Sequence, residues 1–183
     1  MRAARPGFLS VNKSGNFSVN ANELVEAGVD DIPAVMEIER GEGYARLVGK
    51  NSADEHRALM GSDGVSYLLL KDEDGAAQGF ALLTGLGSPD GIVLLQRIAL
   101  RMPGQGNGQV FLSALVDRVF ADPAHFRFWL DVLEHNDRAR RACRAAGFVE
   151  EGILRESRVL QNGQRANLVV MSILRGDWLT AFM

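Results

Sequence analysis

One cysteine stands in this chain, at position 143, so no internal disulfide can form and no cysteine cluster exists to hold structural zinc. Histidine is scarce too. His56, His125 and His135 show no ligand spacing with carboxylates, and a metal site is not expected. No run approaches the roughly 18 consecutive apolar residues of a membrane-spanning helix. A basic surplus is also missing: the net charge of −3 withholds the cationic stripe that displaces counterions from nucleic acid. Neither nucleic acid nor a membrane is therefore an expected partner, and the expected compartment is the reducing cytoplasm. Acidic residues are absent from the opening "MRAARPGFLSVNKSGNFSVNAN". Its apolar positions lack the helical spacing of a transit-like presequence, and its Gly, Asn and Ser content reads as a flexible extension over 1–21.

What remains is the material of one globular domain. The 183 residues, 46% hydrophobic and 23% charged, are enough to bury a core. "NELVEAGVDDIPAVMEIERGEGY" predicts a short strand and then a helix, capped at Asp30 or Asp31, with Pro33 in its first turn. Its buried stripe is expected to be Ile32, Val35 and Met36, ending in the carboxylate of Glu39. "SADEHRALM" predicts a second helix capped by Ser52. Strands follow at "VSYLLLKD" and "QGFALLTGL", joined through Asp74-Gly75, and then at "GIVLLQRIAL", apolar enough to be covered on both faces. A helix carrying Phe111, Leu112, Leu115, Val116 and Val119 comes next, then the strand "FRFWLDV". "NDRARRACRAAGF" predicts a helix capped by Asn136, with a stripe of Ala139, Ala142, Cys143 and Ala146, stopping at Gly147. A final hairpin turns at Asn162-Gly163. The order predicts one α/β (α+β) domain with a mixed sheet.

Gly104, Gly106 and Gly108 sit where a strand becomes a helix. Glycine lets a ligand approach the main chain, and the helix's first free N–H groups point into that space. Such a turn suits an anion, phosphate above all, although an empty tight connection has the same sequence. The spacing is not the Gly-x-Gly-x-x-Gly of dinucleotide-binding folds, and no Gly-Lys-Ser/Thr follows to make a nucleotide P-loop.

Three stretches in fixed order, "RIALRMPGQGNGQVFLSAL", "FWLDVLEHNDRARRACRAAGF" and "EEGILRES…NGQRANLVVMSIL", resemble the GNAT superfamily of acetyl-CoA-dependent N-acetyltransferases. They most resemble its branch of ribosomal-protein alanine acetyltransferases. The resemblance covers about residues 22–178 and implies a mixed central sheet with a splayed strand pair, flanked by helices. It implies acetyl-CoA as cosubstrate, no metal, and a primary amine as acceptor: a protein N-terminus, a lysine or a small amine. A homodimer is allowed. The coenzyme A pyrophosphate would lie on Gly104, Gln105, Gly106, Asn107, Gly108 and Gln109, although Pro103 opens the loop where the family has Arg or Gln. The backbone of Ile98, Ala99 and Leu100 would meet the pantetheine amides, and Asn136 would bond the same arm, a duty that competes with capping its helix.

The implied reaction is direct attack of a neutral amine on the thioester, aided by a base and by an acid for the departing sulfur. Where the family often has a tyrosine acid, this chain has Cys143, whose place on the Ala139–Ala146 stripe favours a small core residue over an acid. Where close relatives have a glutamate, it has Leu94, and Gln96 nearby cannot take a proton. Glu134 is the remaining candidate base. Glu37, Glu39 and Tyr44 fall in the region that shapes the acceptor site. The alternative reading is a coenzyme A-binding module that has lost catalysis and serves sensing or assembly.

Overall fold

The computed structural model describes residues 24–41, 44, 50–72, 74–103, 106–160 and 162–180. The expected extension at 1–21 and the loop residues Gly104 and Gln105 lie outside them. The chain runs β1 (Leu24–Glu26), a 3-10 turn (Val29–Asp31), α1 (Ile32–Glu39), α2 (Ala53–Met60), β2 (Val65–Lys71), β3 (Ala77–Thr84) and β4 (Ile92–Leu100). It continues through α3 (Asn107–Phe120), β5 (Arg127–Leu133), α4 (Asp137–Ala145), β6 (Val149–Val159), β7 (Arg165–Leu174) and α5 (Arg175–Thr180). Among the described residues, seven strands form one sheet in the order β1-β2-β3-β4-β5-β7-β6. Of these pairs only β4–β5 is parallel.

Alternating side chains split the core across the sheet. Ala81, Leu83, Val93 and Leu95 pack with Phe111 and Leu115 of α3, while Phe80, Leu82 and Ala99 pack with Val35 and Ile38 of α1. Both faces are covered, which is why these strands read as continuous apolar runs. The stripe of α1 is shifted from expectation: Ile38 is buried and Met36 only partly so. The buried set Ile32, Val35, Ile38 and Glu39 keeps the three-to-four spacing of one helix face. Ser52 caps α2 in a reciprocal box with Glu55. α4 ends at Gly147 with φ 97°, a left-handed value that a β-carbon would strain. The closing helix α5 and the 3-10 turn had no counterpart in the sequence reading.

One irregularity in β4 organises the rest. Leu83 faces Leu95 and Leu82 faces Arg97, so Gln96 is an extra residue with no partner on β3. A bulge of this kind bends and twists its strand. It also resets the alternation. Without it Arg97 would share the α3 face with Val93 and Leu95; with it, Arg97 turns toward α1. On the other side, β4 pairs with β5 only at Ile92–Arg127, Val93–Phe128 and Leu94–Trp129. Beyond Leu94 the two strands part, as the resemblance implied.

A second irregularity lies in β6, where three residues, 155–157, oppose Asn167 alone between the pairs Leu154–Leu168 and Arg158–Ala166. Glu156 there has φ 50°, and its N–H donates to Asn167 Oδ1 at 2.8 Å.

Across β5, β7 and β6, the Arg127 guanidinium donates to both Glu151 oxygens at 2.6 and 2.5 Å, and Ser172 Oγ donates to Glu151 at 2.7 Å. These bonds hold the Glu151 carboxyl down at about 2, against an ordinary 4.5. A lowered carboxyl contributes stability above its ordinary value and loses it as pH falls toward the folded one. Melting temperature should therefore drop between pH 4.5 and 2. In Glu151→Gln that part of the profile should flatten, and an unchanged slope in the variant would refute the assignment.

Candidate active site

A cavity of about 910 Å³ occupies the parting between β4 and β5. Its walls are Leu95 to Leu100 of β4 and Leu130 to Leu133 of β5. Gly106, Gly108, Gln109 and Leu112 close it at the start of α3, and Asn136, Ala139, Ala142 and Cys143 close it from α4. Tyr44, Lys50 and the residues at and just past the end of β6, Arg158 to Leu160, also line it. These residues belong to both faces of the sheet, so the cavity is a slot passing through it.

Arg101 N–H donates to Gln78 on β3 at 2.7 Å. Hydrogen-bonding direction alternates along a strand, so Ala99 also turns its backbone to β3, while Ile98 and Leu100 turn theirs to the slot. The expectation for Ala99 is corrected accordingly: it lines the cavity, but its backbone groups belong to the sheet. Leu100 N–H donates to the Tyr44 hydroxyl at 2.9 Å. Burial raises the Tyr44 pKa, opposed by that bond and by the nearby Arg138 charge.

At the α3 end, Gly106 has φ 80° and no side chain caps the helix. The first-turn N–H groups of Asn107 and Gly108 are thus donors of the kind a helix start leaves free. The Asn107 side chain, 2% exposed, turns inward instead. Gln109 Nε2 donates to Ala145 O at 3.3 Å, tying α3 to α4. Four arginines crowd α4 and divide their work. Arg140 and Arg144 bind Glu150, whereas Arg138 and Arg141 line the slot. Asn136 caps α4 through Oδ1, which accepts from Ala139 N–H at 3.2 Å. Among the described residues only its oxygen is used, so the amide NH₂ can take a second partner and the two expected duties are compatible. Cys143 lines the slot but is 3% exposed. Burial, with Glu150 adding to it, pushes the thiol up to about 12.

On the α1 face, Arg97 donates to Glu39 Oε2 at 2.9 Å and to Asn51 Oδ1 at 3.2 Å. Glu39 Oε1 also accepts from Arg40 at 2.8 Å and from Asn51 N–H at 3.2 Å. His56 stands behind, 3.4 Å from Glu39 and 2.8 Å from the Tyr67 hydroxyl. Burial pushes the Tyr67 phenol up to about 12. Facing Arg97 across the slot is Asp131, two residues past the last β4–β5 pair, with Arg158 3.5 Å from its carboxylate.

Two expected roles do not survive this geometry. Glu39 is completely buried and saturated by donors, and it is not in the cavity wall; what reaches the wall is Arg97, which it holds. Glu134 sits outside the slot and accepts from Asn167 Nδ2 at 2.9 Å, supporting the residue that pins the β6 bulge. Glu37 is paired with Arg101 on the exterior. The structure does bring Ile98, Leu100, Gly106, Gly108, Gln109, Asn136, Cys143 and Tyr44 to one cavity. The sequence reading passed over Arg97, Asp131, Lys50 and Arg158. Asp131 had a signal, a lone acid inside the buried strand "FWLDV". Arg97 had none, because the bulge that turns it is invisible in the pattern. Among the described residues no group of His, Cys, Asp and Glu could hold a metal, and no helix is long and apolar enough to cross a membrane.

No family model matches the sequence. Solved structures do match in shape. A spermidine N-acetyltransferase from Vibrio cholerae in complex with CoA and spermine superposes with a TM-score of 0.72 at 20% identity, over 85% of this chain and 96% of that one. A point mutant of the spermidine N-acetyltransferase SpeG from Vibrio cholerae gives 0.75 at 18% identity, over 88% and 99%. AAC(6')-Ib in complex with paromomycin and acetyl-CoA gives 0.69 at 20% identity, over 85% and 94%. The mixed seven-stranded sheet flanked by helices is the GNAT fold of these N-acetyltransferases.

Proposed function

We propose that the chain is an N-acetyltransferase that moves the acetyl group of acetyl-CoA directly onto a primary amine. The observation that carries this reading is the slot. It connects an uncapped helix start flanked by Arg138 and Arg141 on one face of the sheet to the carboxylate of Asp131 on the other. That is the layout a long anionic thioester and a separate amine require. The shape neighbours, whose structures hold CoA or acetyl-CoA, support it.

In this reading the N–H groups of Gly106 to Gly108 hold the diphosphate, with the helix dipole behind them, and Arg138 and Arg141 add charge. The outward backbone groups of Ile98 and Leu100 pair with the pantetheine amides, and Asn136 offers its NH₂. The Tyr44 hydroxyl yields its place on Leu100 N–H. The acetyl carbonyl then lies where β4 and β5 part, and the Ile98 N–H faces the oxygen that becomes negative on attack. Asp131, on the acceptor side of the parting, takes the amine's proton. Coenzyme A leaves as thiolate, and the Cys143 thiol or water returns a proton. The rival reading, a binding module without turnover, rested on Leu94 and Cys143 at the two chemical positions. A carboxylate at Asp131 supplies from β5 what Leu94 lacks on β4.

Three measurements test the scheme. Gly106→Glu puts bulk, charge and a strained φ at the diphosphate, so coenzyme A binding by calorimetry should vanish; unchanged affinity would remove the loop from the site. Asp131→Asn should lower kcat by about 10²-fold or more while leaving coenzyme A affinity intact, and full turnover in that variant would exclude it as the proton acceptor. Cys143→Ala should cost several-fold at most, whereas a loss near ~10³-fold would make the thiol the acid.

A further inference from the structure

The acceptor side of the slot has a charge pattern that the acetyl-transfer reading does not by itself explain. Among the described residues, five cations line the cavity: Lys50, Arg97, Arg138, Arg141 and Arg158, against one acid, Asp131. Arg138 and Arg141 lie on α4, at the diphosphate end. The other three are on the opposite face, around the point where an amine would enter.

Their states differ. Arg97 is held by Glu39 and Asn51. Lys50 lies beside Asn51 in sequence, is exposed to the cavity, and has no ion pair or hydrogen bond among the described residues. Arg158 has a single long contact there, 3.5 Å to Asp131, with its side chain 53% exposed. An exposed pair at that distance is weak, so the guanidinium retains donors for another anion. Its position is also built rather than incidental. The β6 bulge, pinned at Glu156 by Asn167 and through it by Glu134, swings Arg158 to Leu160 over the slot.

A polyamine needs carboxylates for its second and third ammonium groups. The described wall offers none beyond Asp131, since Glu39 is fully buried and already accepts from Arg97, Arg40 and Asn51. We infer that the acceptor is a primary amine bearing a carboxylate near its nitrogen, with Lys50 and Arg158 clasping the carboxylate while Asp131 meets the ammonium. This rests on the acetyl-transfer reading. Two sources share the chemistry, a free acidic amino acid and a peptide whose first residue is acidic.

The test pairs calorimetry of coenzyme A with turnover of acetyl-CoA on four amines: L-glutamate, a Glu-initiated tripeptide, n-butylamine and spermidine. One of the two carboxylate-bearing amines should exceed both n-butylamine and spermidine in kcat/KM by about tenfold or more, and which one does identifies the source. Lys50→Glu combined with Arg158→Glu should abolish that advantage while coenzyme A affinity, the check on folding, stays unchanged. Spermidine as the better substrate, or coenzyme A binding with no turnover of either carboxylate-bearing amine, overturns the inference and leaves coenzyme A binding standing. Failure to bind coenzyme A overturns the acetyl-transfer reading with it.

Discussion

The parting of β4 from β5 and the turn of Arg97 toward α1 both go back to the extra residue at Gln96. Sheets hold together because each backbone N–H and C=O finds a partner, and a buried one left alone is costly. The bulge bends β4 just after its last bond to β5, so the strands separate and Ile98 and Leu100 present polar backbone to an opening. The same residue sends Arg97 through to the other face. One insertion therefore both opens the slot and adds Arg97 to its wall.

The two faces then serve different ends. Behind the slot, α3 and α4 bring an uncapped helix start together with Arg138 and Arg141. In front, Glu39 is buried where an isolated carboxylate would be prohibitively unfavourable, and it survives because Arg97, Arg40 and Asn51 all donate to it. Its service is to fix Arg97. Among the described residues Glu39 is thus spent on its donors, which leaves Asp131 as the acidic group of the wall and Lys50 as a cation without a partner.

Much of the fold was legible in the sequence. The strands, the four longer helices, the caps at Ser52 and Asn136, and the stop at Gly147 follow from local patterns that tertiary packing reinforced. Of the residues marked at one end of the site, Gly106, Gly108 and Asn136 do meet at a single cavity. The other end was not legible, for physical reasons. Glu39 continues an apolar stripe, and nothing in its neighbours reveals that it is buried against an arginine 58 positions away. Glu134 follows a core strand as closely as a base should, yet its carboxylate is spent on Asn167. Asp131 differs from its neighbours only by being acidic, and its meaning depends on where β4 and β5 separate, a property of pairing rather than composition.

The phenol of Tyr44 carries a last implication. By accepting from Leu100 N–H it spares the protein an orphaned amide beside the opening, so the domain need not wait for a guest to be sound. An incoming amide carbonyl trades places with an oxygen already there, and the net gain at that position is the difference between two similar bonds. In the proposed acetyl-transfer cycle a placeholder of this kind favours brief occupancy, since the phenol is at hand to take the amide back when the spent thiol departs.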